Sequence, residues 1–179
     1  MIRRKQAFAP LVAPATRVLI LGSLPGDASL AAQQYYANPR NRFWHLIGAV
    51  IGRPDLPGLG YDARLGVLLA AGIGLWDAVS SAERHGSLDS AIRQAEPAAL
   101  AELAATMPLL RAVGCNGQAS ASLARKLLAG TGQALIELPS SSPAHAAMPY
   151  PAKLEHWLAL KEFLPAPLPC APNGGIPAR

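Results

Sequence analysis

The densest group of residues that could do chemistry lies in the segment 35–44, which reads YYANPRNRFW. Aromatic rings stack on nucleobases, arginines bind phosphate, and amides orient water or read base edges. The alternative is structural: Asn38 or Asn41 caps a helix, the last two aromatic residues enter the core, and the arginines face solvent. We favour the structural role for those last two aromatic residues, and a functional role for Tyr36 and Asn41.

Two further loops carry polar groups at defined spacing. The turn 22–26 (GSLPG) brings backbone N–H groups close to a ligand, although it matches neither a nucleotide-binding fingerprint nor a GxSxG nucleophile elbow. The segment 138–146 (LPSSSPAHA) forms a rigid, hydroxyl-rich loop that suits phosphate oxygens. Ordinary turns are the alternative for both loops. His145 is a proton donor, a phosphate contact or a surface residue.

The hydrophobic pattern predicts the elements that must position these loops. Apolar runs predict strands over 17–22, 73–79, 109–115 and 134–138. Apolar residues at helical spacing predict helices that cover about 43–51, 62–71, 100–107, 117–129 and 154–164. Asp62 is the expected N-cap of the second helix, Pro97 lies near the first turn of the third, and Gly130 ends the fourth. Strands that alternate with helices predict a three-layer α/β/α sandwich with a central four-stranded, mainly parallel sheet.

Polar residues follow the predicted strands. In parallel sheets, ligands bind outside the carboxyl ends of the strands. The four strand ends carry Gly22-Ser23, Trp76-Asp77, Cys115-Asn116 and Leu138-Pro139-Ser140. We therefore expect these side chains to converge at one rim of a single domain over residues 1–164. A proline-rich tail over 165–179 is expected to be disordered.

The composition fits a well-buried globule, since 51% of the residues are hydrophobic and 15% are charged. A net charge of +5 is compatible with a polyanionic partner without proving one. Cys115 and Cys170 are the two cysteines, too few for a disulfide framework, a zinc site or an iron–sulfur cluster, so we expect reduced thiols and no metal. The basic start is not followed by a continuous apolar stretch, which predicts a cytoplasmic protein without a signal peptide or membrane span.

Five segments occur in an order that resembles the uracil-DNA glycosylase superfamily. They are GSLPG at 22–26, NPRNRFW at 38–44, GLWDAV at 74–79, GCNGQAS at 114–120 and LPSSSPAHA at 138–146. The set is most similar to the deoxyinosine (hypoxanthine) DNA glycosylases and covers about residues 17–164. The resemblance implies a cofactor-free enzyme that extrudes a damaged nucleotide from DNA and hydrolyses its N-glycosidic bond. Residues 1–164 would then be the glycosylase domain.

The sequence departs from this family at two positions that carry catalytic groups in relatives. Relatives have Asp or Asn where Leu24 stands, and His or Asn at about the position of Leu138. The nearest substitute that could position a water is Asn41, with Asn38 as second choice. Because an amide is a poor general base, the rate would come mostly from electrostatics and stabilisation of the leaving group.

The resemblance also implies a base pocket, whose corner would be formed by Ser23, Leu24, Pro25 and Gly26. Gly26 replaces a tyrosine that crowds out larger bases in the uracil enzymes. Asp77 stands where relatives read uracil with an asparagine. Its carboxylate would accept from the N–H of hypoxanthine and reject adenine, unless it is a structural cap. Tyr36 would stack on the flipped base, and Asn116 would contact the base or the pocket floor, or else cap a helix.

The remaining assignments concern DNA contacts and the type of cleavage. We assign DNA contacts to Arg40, Arg42, Ser140, Ser141, Ser142 and His145. The five segments contain no lysine, so we predict base removal without Schiff-base strand cleavage. The expected partner is double-stranded or single-stranded DNA with a deaminated base, bound by a monomer. The alternatives are a uracil- or mismatch-specific glycosylase, a non-catalytic DNA-damage binding protein and a nucleoside hydrolase.

Overall fold

The computed structural model describes residues 4–165, so the predicted tail lies outside the described residues except for Pro165. Strands and helices follow in the order β1 (Arg4–Gln6), β2 (Val18–Gly22), α1 (Asp27–Ala32), α2 (Phe43–Val50), α3 (Tyr61–Ala70), β3 (Ile73–Asp77), β4 (Val79–Glu83), β5 (Arg93–Pro97), α4 (Leu100–Ala105), β6 (Ala112–Asn116), α5 (Gln118–Leu127), β7 (Ala134–Leu138) and α6 (Tyr150–Leu158). Short 3-10 helices cover Leu56–Gly58, Asp89–Ala91 and Ala159–Phe163.

The central sheet has four parallel strands in the order β3-β2-β6-β7. Every residue of β2 is buried, because its sequence VLILG contains no polar side chain and the strand lies between two neighbours. Gly22 pairs with Asp77, and Asn116 pairs with Leu138, at the carboxyl edge of the sheet. The predicted sheet is confirmed, and the ends of its strands meet at one rim.

Helices cover both faces of this sheet, which confirms the three-layer sandwich. Successive residues of β2 point to opposite faces, as the two-residue period of a strand requires. Val18 and Ile20 pack with residues from α2, α3, α6 and the last 3-10 helix, including Phe43, Leu46, Leu68, Trp157 and Leu160. Leu19 and Leu21 pack with residues from α4 and α5, including Leu100, Ala104, Ala121 and Ala124.

A second sheet, antiparallel and three-stranded, has the order β1-β4-β5 and is not indicated by the sequence pattern. This second sheet takes the end of the predicted strand over 73–79, so that the structure has two strands there. β3 ends at Asp77, and β4 starts at Val79 after Ala78, whose N–H donates to the carbonyl of Gly22 at 2.8 Å. The chain therefore changes sheets at the rim, and the small sheet stands beside the ends of the parallel strands.

Several element ends differ from prediction. Gly60 is the N-cap of α3, and Asp62 lies in the first turn without a capping bond, so the predicted cap is wrong. Pro97 ends β5 and does not lie in α4. β6 starts at Ala112, later than predicted, because the preceding residues form a turn closed by the bond from Leu110 N–H to the carbonyl of Met107. No helix among the described residues is long and apolar enough to cross a membrane.

Candidate functional site

A cavity of about 420 Å³ opens at the carboxyl edge of the central sheet. The structure brings together there every residue predicted for base binding or catalysis: Ser23, Leu24, Pro25, Gly26, Tyr36, Asn38, Asn41, Asp77 and Asn116. The serine loop, residues 138–146, reaches the same wall through Ser140, Ser141, Ser142 and His145. Arg40 and Arg42 do not line this cavity and lie instead in an adjoining cleft.

Asp77 is the buried carboxylate of the cavity, with 5% of its surface exposed. The absence of a side chain at Gly22 makes room for it, because a Cβ there would lie 2.5 Å from Oδ1 of Asp77. Oδ2 has no hydrogen-bond partner among the described residues. Burial raises the pKa of Asp77 to about 7, while Arg84 acts to lower it and Asp89 to raise it. A buried oxygen without a partner is available to a ligand N–H.

Tyr36 forms a neighbouring part of the wall. Its ring stacks on Phe43, with 3.7 Å between ring centroids and 14° between planes, so Phe43 covers one face of the ring. Its hydroxyl oxygen accepts a hydrogen bond from Nδ2 of Asn116 at 3.3 Å. Burial raises the pKa of this hydroxyl, which keeps it protonated at neutral pH. Phe43 and Trp44 are buried in the core, as their predicted structural role requires.

Asn116 connects the sheet to the serine loop. Its Nδ2 donates to Oγ of Ser141 at 2.9 Å, and its Oδ1 accepts from the backbone N–H of Ser141 at 2.9 Å. The N-cap of α5 is Gly117, with φ of +102° and no side-chain capping bond, so the alternative that Asn116 caps this helix is wrong. The side chain of Asn116 braces the cavity wall instead.

Asn41 and Asn38 both serve local turns while they line the cavity. Oδ1 of Asn41 accepts from the N–H of Phe43 at 2.9 Å, and Oδ1 of Asn38 accepts from the N–H of Arg40 at 3.0 Å. An amide oxygen has two lone pairs, and the amide nitrogen carries two N–H groups. Each side chain therefore keeps hydrogen-bonding capacity beyond the bond to its own turn.

The corner turn 22–26 shapes the cavity mostly through its backbone. The side chain of Leu24 is buried with Val79 and Ala82 in a small core, which explains why this position is apolar. A Cβ at Gly26 would lie 3.3 Å from Oγ of Ser87. The space beside Gly26 is therefore bounded by Ser87, which a bulky side chain at this position would have to displace.

Sequence reasoning missed the residues that hold this corner from the small sheet. The buried guanidinium of Arg84 donates to the carbonyl of Leu24 at 3.1 Å and to the carbonyl of Pro25. Oγ of Ser23 donates to Oδ1 of Asp89 at 2.5 Å, and Oγ of Ser87 accepts from the N–H of Asp27 at 2.9 Å. The polar segment after β4 looks like an ordinary loop, so no local pattern marks these residues.

The serine loop is held from behind by Lys153, which is 5% exposed. Its Nζ donates to the carbonyls of Ser140 at 2.8 Å and His145 at 2.7 Å. The signal that could have revealed it is its place four residues before Trp157 on the buried face of α6. Beside the loop lies a cleft of about 300 Å³. Among residues 4–165 its lining contains cationic groups and no acidic residue; the polar side chains belong to Arg40, Arg42, Ser142, His145, Tyr150 and Lys153.

Comparison with known proteins identifies the class. The model of the uracil DNA glycosylase superfamily matches residues 9–162, and the chain belongs to this superfamily. It is 42% identical over 117 residues to a hypoxanthine DNA glycosylase of Methanosarcina barkeri, covering 65% of this chain and 73% of that protein. It is 40% identical over 141 residues to a hypoxanthine DNA glycosylase of Methanosarcina acetivorans, covering 79% of this chain and 88% of that protein.

A solved structure agrees with this placement. The solution NMR structure of a candidate uracil DNA glycosylase from Methanosarcina acetivorans matches with a TM-score of 0.80 and 37% identity. The match covers 89% of this chain and 97% of that chain. The predicted fold and the predicted family are both confirmed, and the chain is a DNA glycosylase by membership.

Proposed function

We propose that this chain is a monofunctional DNA glycosylase that removes deaminated bases and favours hypoxanthine. The observation that carries the substrate is Asp77, a buried carboxylate in the cavity whose Oδ2 has no partner among the described residues. Hypoxanthine presents an N–H next to a carbonyl and satisfies this acceptor, as uracil also does, whereas adenine presents an acceptor at that nitrogen and leaves it unpaired. The two hypoxanthine DNA glycosylases at about 40% identity support the same preference.

In the proposed reaction, the extruded base enters the cavity and stacks on Tyr36. The C1′–N9 bond breaks with its electron pair on the purine, which takes up a proton, and a water adds its oxygen to C1′ and releases a proton. Asn41 orients this water, with Asn38 as second choice. Since neither amide is a strong base, the site lowers the barrier mainly by stabilising the oxocarbenium-like transition state and the departing base.

Base removal is proposed to occur without strand cleavage. A Schiff base requires an amine that can reach C1′. No lysine lines the cavity among residues 4–165, and Nζ of Lys153 is engaged by two backbone carbonyls. Borohydride added during turnover should therefore trap no protein–DNA adduct, and a trapped adduct would contradict this part of the proposal.

The partner is proposed to be double-stranded or single-stranded DNA, bound by a monomer in the cytoplasm, at the nucleoid if the source is bacterial. The cleft beside the serine loop supports backbone contact, because Arg40 and Arg42 lie in it with His145 and Lys153. Cationic groups in a cleft without carboxylates attract phosphates. The hydroxyls of the half-buried Ser140 and Ser142 supply further donors to phosphate oxygens, whereas Ser141, also assigned to DNA, is buried with its Oγ bonded to Asn116.

The direct test is base excision from matched oligonucleotides. Duplexes and single strands that carry one deoxyinosine or one deoxyuridine are incubated with the enzyme and then cleaved with alkali. We expect cleavage at deoxyinosine, its loss in Asp77→Ala, and its retention in the control Asp62→Ala, which changes an exposed aspartate on α3. Full inosine excision by Asp77→Ala would remove the assigned role of Asp77.

Other outcomes of this experiment identify the alternatives. Cleavage at deoxyuridine alone would indicate a uracil enzyme, and damage-specific binding without cleavage would indicate a binding protein. Activity on free nucleosides alone would indicate a nucleoside hydrolase. Asn41→Ala and Asn38→Ala, measured under single-turnover conditions, then assign the water: the variant with the larger fall in the chemical rate changes the residue that positions it.

A further inference from the structure

Arg84 is an unusual residue because its whole guanidinium is inside the protein. Its side chain is 0% exposed, and it follows directly on the last residue of β4. Burial of a charged group is costly unless hydrogen bonds and an opposite charge compensate for it. Arg84 has both at its two terminal nitrogens, while Nε has no partner among the described residues: Nη1 and Nη2 donate to two backbone carbonyls, and Nη1 lies 3.8 Å from Oδ1 of Asp89.

The partners of Arg84 all belong to the wall of the base cavity. The two carbonyls are those of Leu24 and Pro25 in the corner turn, and Asp89 lies on the rim. Asp89 is in turn bonded to the hydroxyl of Ser23 at 2.5 Å. A single buried cation thus connects the small antiparallel sheet, the corner turn and the rim.

Arg84 also acts on the carboxylate that reads the base. The titratable groups that interact with Asp77 are Arg84 from the end of β4, Asp89 from the following 3-10 helix, and the two tyrosines of the segment before α2, Tyr35 and Tyr36. Among these groups Arg84 alone is positively charged. It lowers the pKa of Asp77 against the effects of burial and Asp89, which raise it.

We propose that Arg84 is a positioning residue of the base pocket, which fixes the corner turn and holds a positive charge near the Asp77 carboxylate. This proposal rests on the proposed function in one respect, namely that the pocket binds a base. A guanidinium is suited to this place because its planar fork can reach two carbonyls and a carboxylate at once, whereas an ammonium is a point charge on a flexible chain. The small sheet therefore has a role in recognising the base.

The test measures the titration of Asp77 in the whole folded protein by carboxyl NMR, with Asp77→Asn used to assign the signal. Arg84→Met removes the charge and should move the titration midpoint of Asp77 upward, by about one pH unit. Asp89→Asn removes a negative charge and should move it downward. Arg125→Met is the control, because it changes an exposed arginine that pairs with Glu137, and it should leave the midpoint where it is.

The opposite signs separate an electrostatic role from general loosening of the fold, which would not move the midpoint in two directions. Arg84→Lys keeps the charge but loses the fork, so it should retain the midpoint while the rate of inosine excision falls roughly tenfold or more. If Arg84→Met does not fold, the proposal is tested by the midpoint of Asp77 in Asp89→Asn and by the midpoint and excision rate in Arg84→Lys.

Three results would overturn the positioning role: an unchanged midpoint in folded Arg84→Met, a midpoint that Asp89→Asn leaves unchanged or moves upward, or an unchanged rate of inosine excision in Arg84→Lys. A wild-type protein that removes no base would overturn the proposed function. The titration would then still decide the electrostatic part of this proposal.

Discussion

Replacing Asp77 with asparagine removes a buried charge with little change in shape, and its effect on stability should depend on pH. Burial raises the pKa of Asp77 from 3.8 to about 7 in the folded protein. The folded state therefore keeps a proton that the unfolded state has released between these two values. Because the folded state binds more protons there, the wild-type protein loses stability as the pH rises from about 4 to about 7. Asparagine does not titrate, so Asp77→Asn does not have this loss of stability.

The size of the effect follows from the two pKa values. A group that titrates at 3.8 in the unfolded chain and at about 7 in the fold destabilises the ionised protein by up to ~4 kcal/mol. The free energy of unfolding of Asp77→Asn minus that of the wild type should therefore increase by roughly 2–3 kcal/mol from pH 5 to pH 8. Groups that do not interact with Asp77 titrate alike in both proteins and cancel.

Urea unfolding at several pH values measures this difference, with Asp62→Asn as the exposed control, for which no such gain is expected. Parallel stability curves for wild type and Asp77→Asn would refute the reasoning, because they would mean that Asp77 titrates alike in both states. The activity of the wild type should rise with pH, whereas its stability falls. The ionised acceptor is about a tenth of the population at pH 6 and about nine-tenths at pH 8, so hypoxanthine excision by the wild type should rise across this range.

Three further predictions concern neighbouring contacts. Gly22→Ala pushes a Cβ into Oδ1 of Asp77 and should slow inosine excision on the order of 100-fold, whereas Gly66→Ala, which meets no atom within 4 Å, should leave the rate unchanged. Lys153→Met leaves two carbonyls of the serine loop without a donor and should lower the free energy of unfolding in urea by ~1–3 kcal/mol; an unchanged value would contradict its bracing role. Arg42→Ala should reduce the slope of log affinity against log salt for DNA by about 1, and an unaltered slope would remove the assigned phosphate contact.

The central sheet could be predicted because its information is local. Each parallel strand is covered on both faces, so the β2 residues form a continuous apolar run that ends at Gly22. The antiparallel sheet carries no such signal. β1 and β5 read RKQ and RQAEP, and their side chains are mostly exposed. Arg4 pairs with Glu83, far along the chain, and no local pattern encodes that pairing.

The candidate site likewise contains residues that could be located from the sequence and residues that could not. Asp77 and Asn116 could be located from the sequence because the carboxyl ends of parallel strands share one edge, whatever the remaining details. Arg84 and Asp89 could not, since their place at the cavity depends on the turn from β3 into the second sheet. Lys153 lies between these cases. Lys153 lies on the buried face of α6, where a lysine is unusual. It can be recognised as unusual only when the bounds of the helix, and so its buried face, are known.

The second sheet also explains why the corner turn has an apolar side chain at Leu24. Leu24 packs against Val79 and Ala82 of β4, and its own carbonyl is held by Arg84 from the end of the same strand. A carboxylate at position 24 would enter this apolar contact and lose hydration there. The packing against β4 therefore favours an apolar side chain at this position. Because β4 packs on the turn at Leu24, the polar side chains that line the cavity come from other positions, among them Asp77, Asn38 and Asn41.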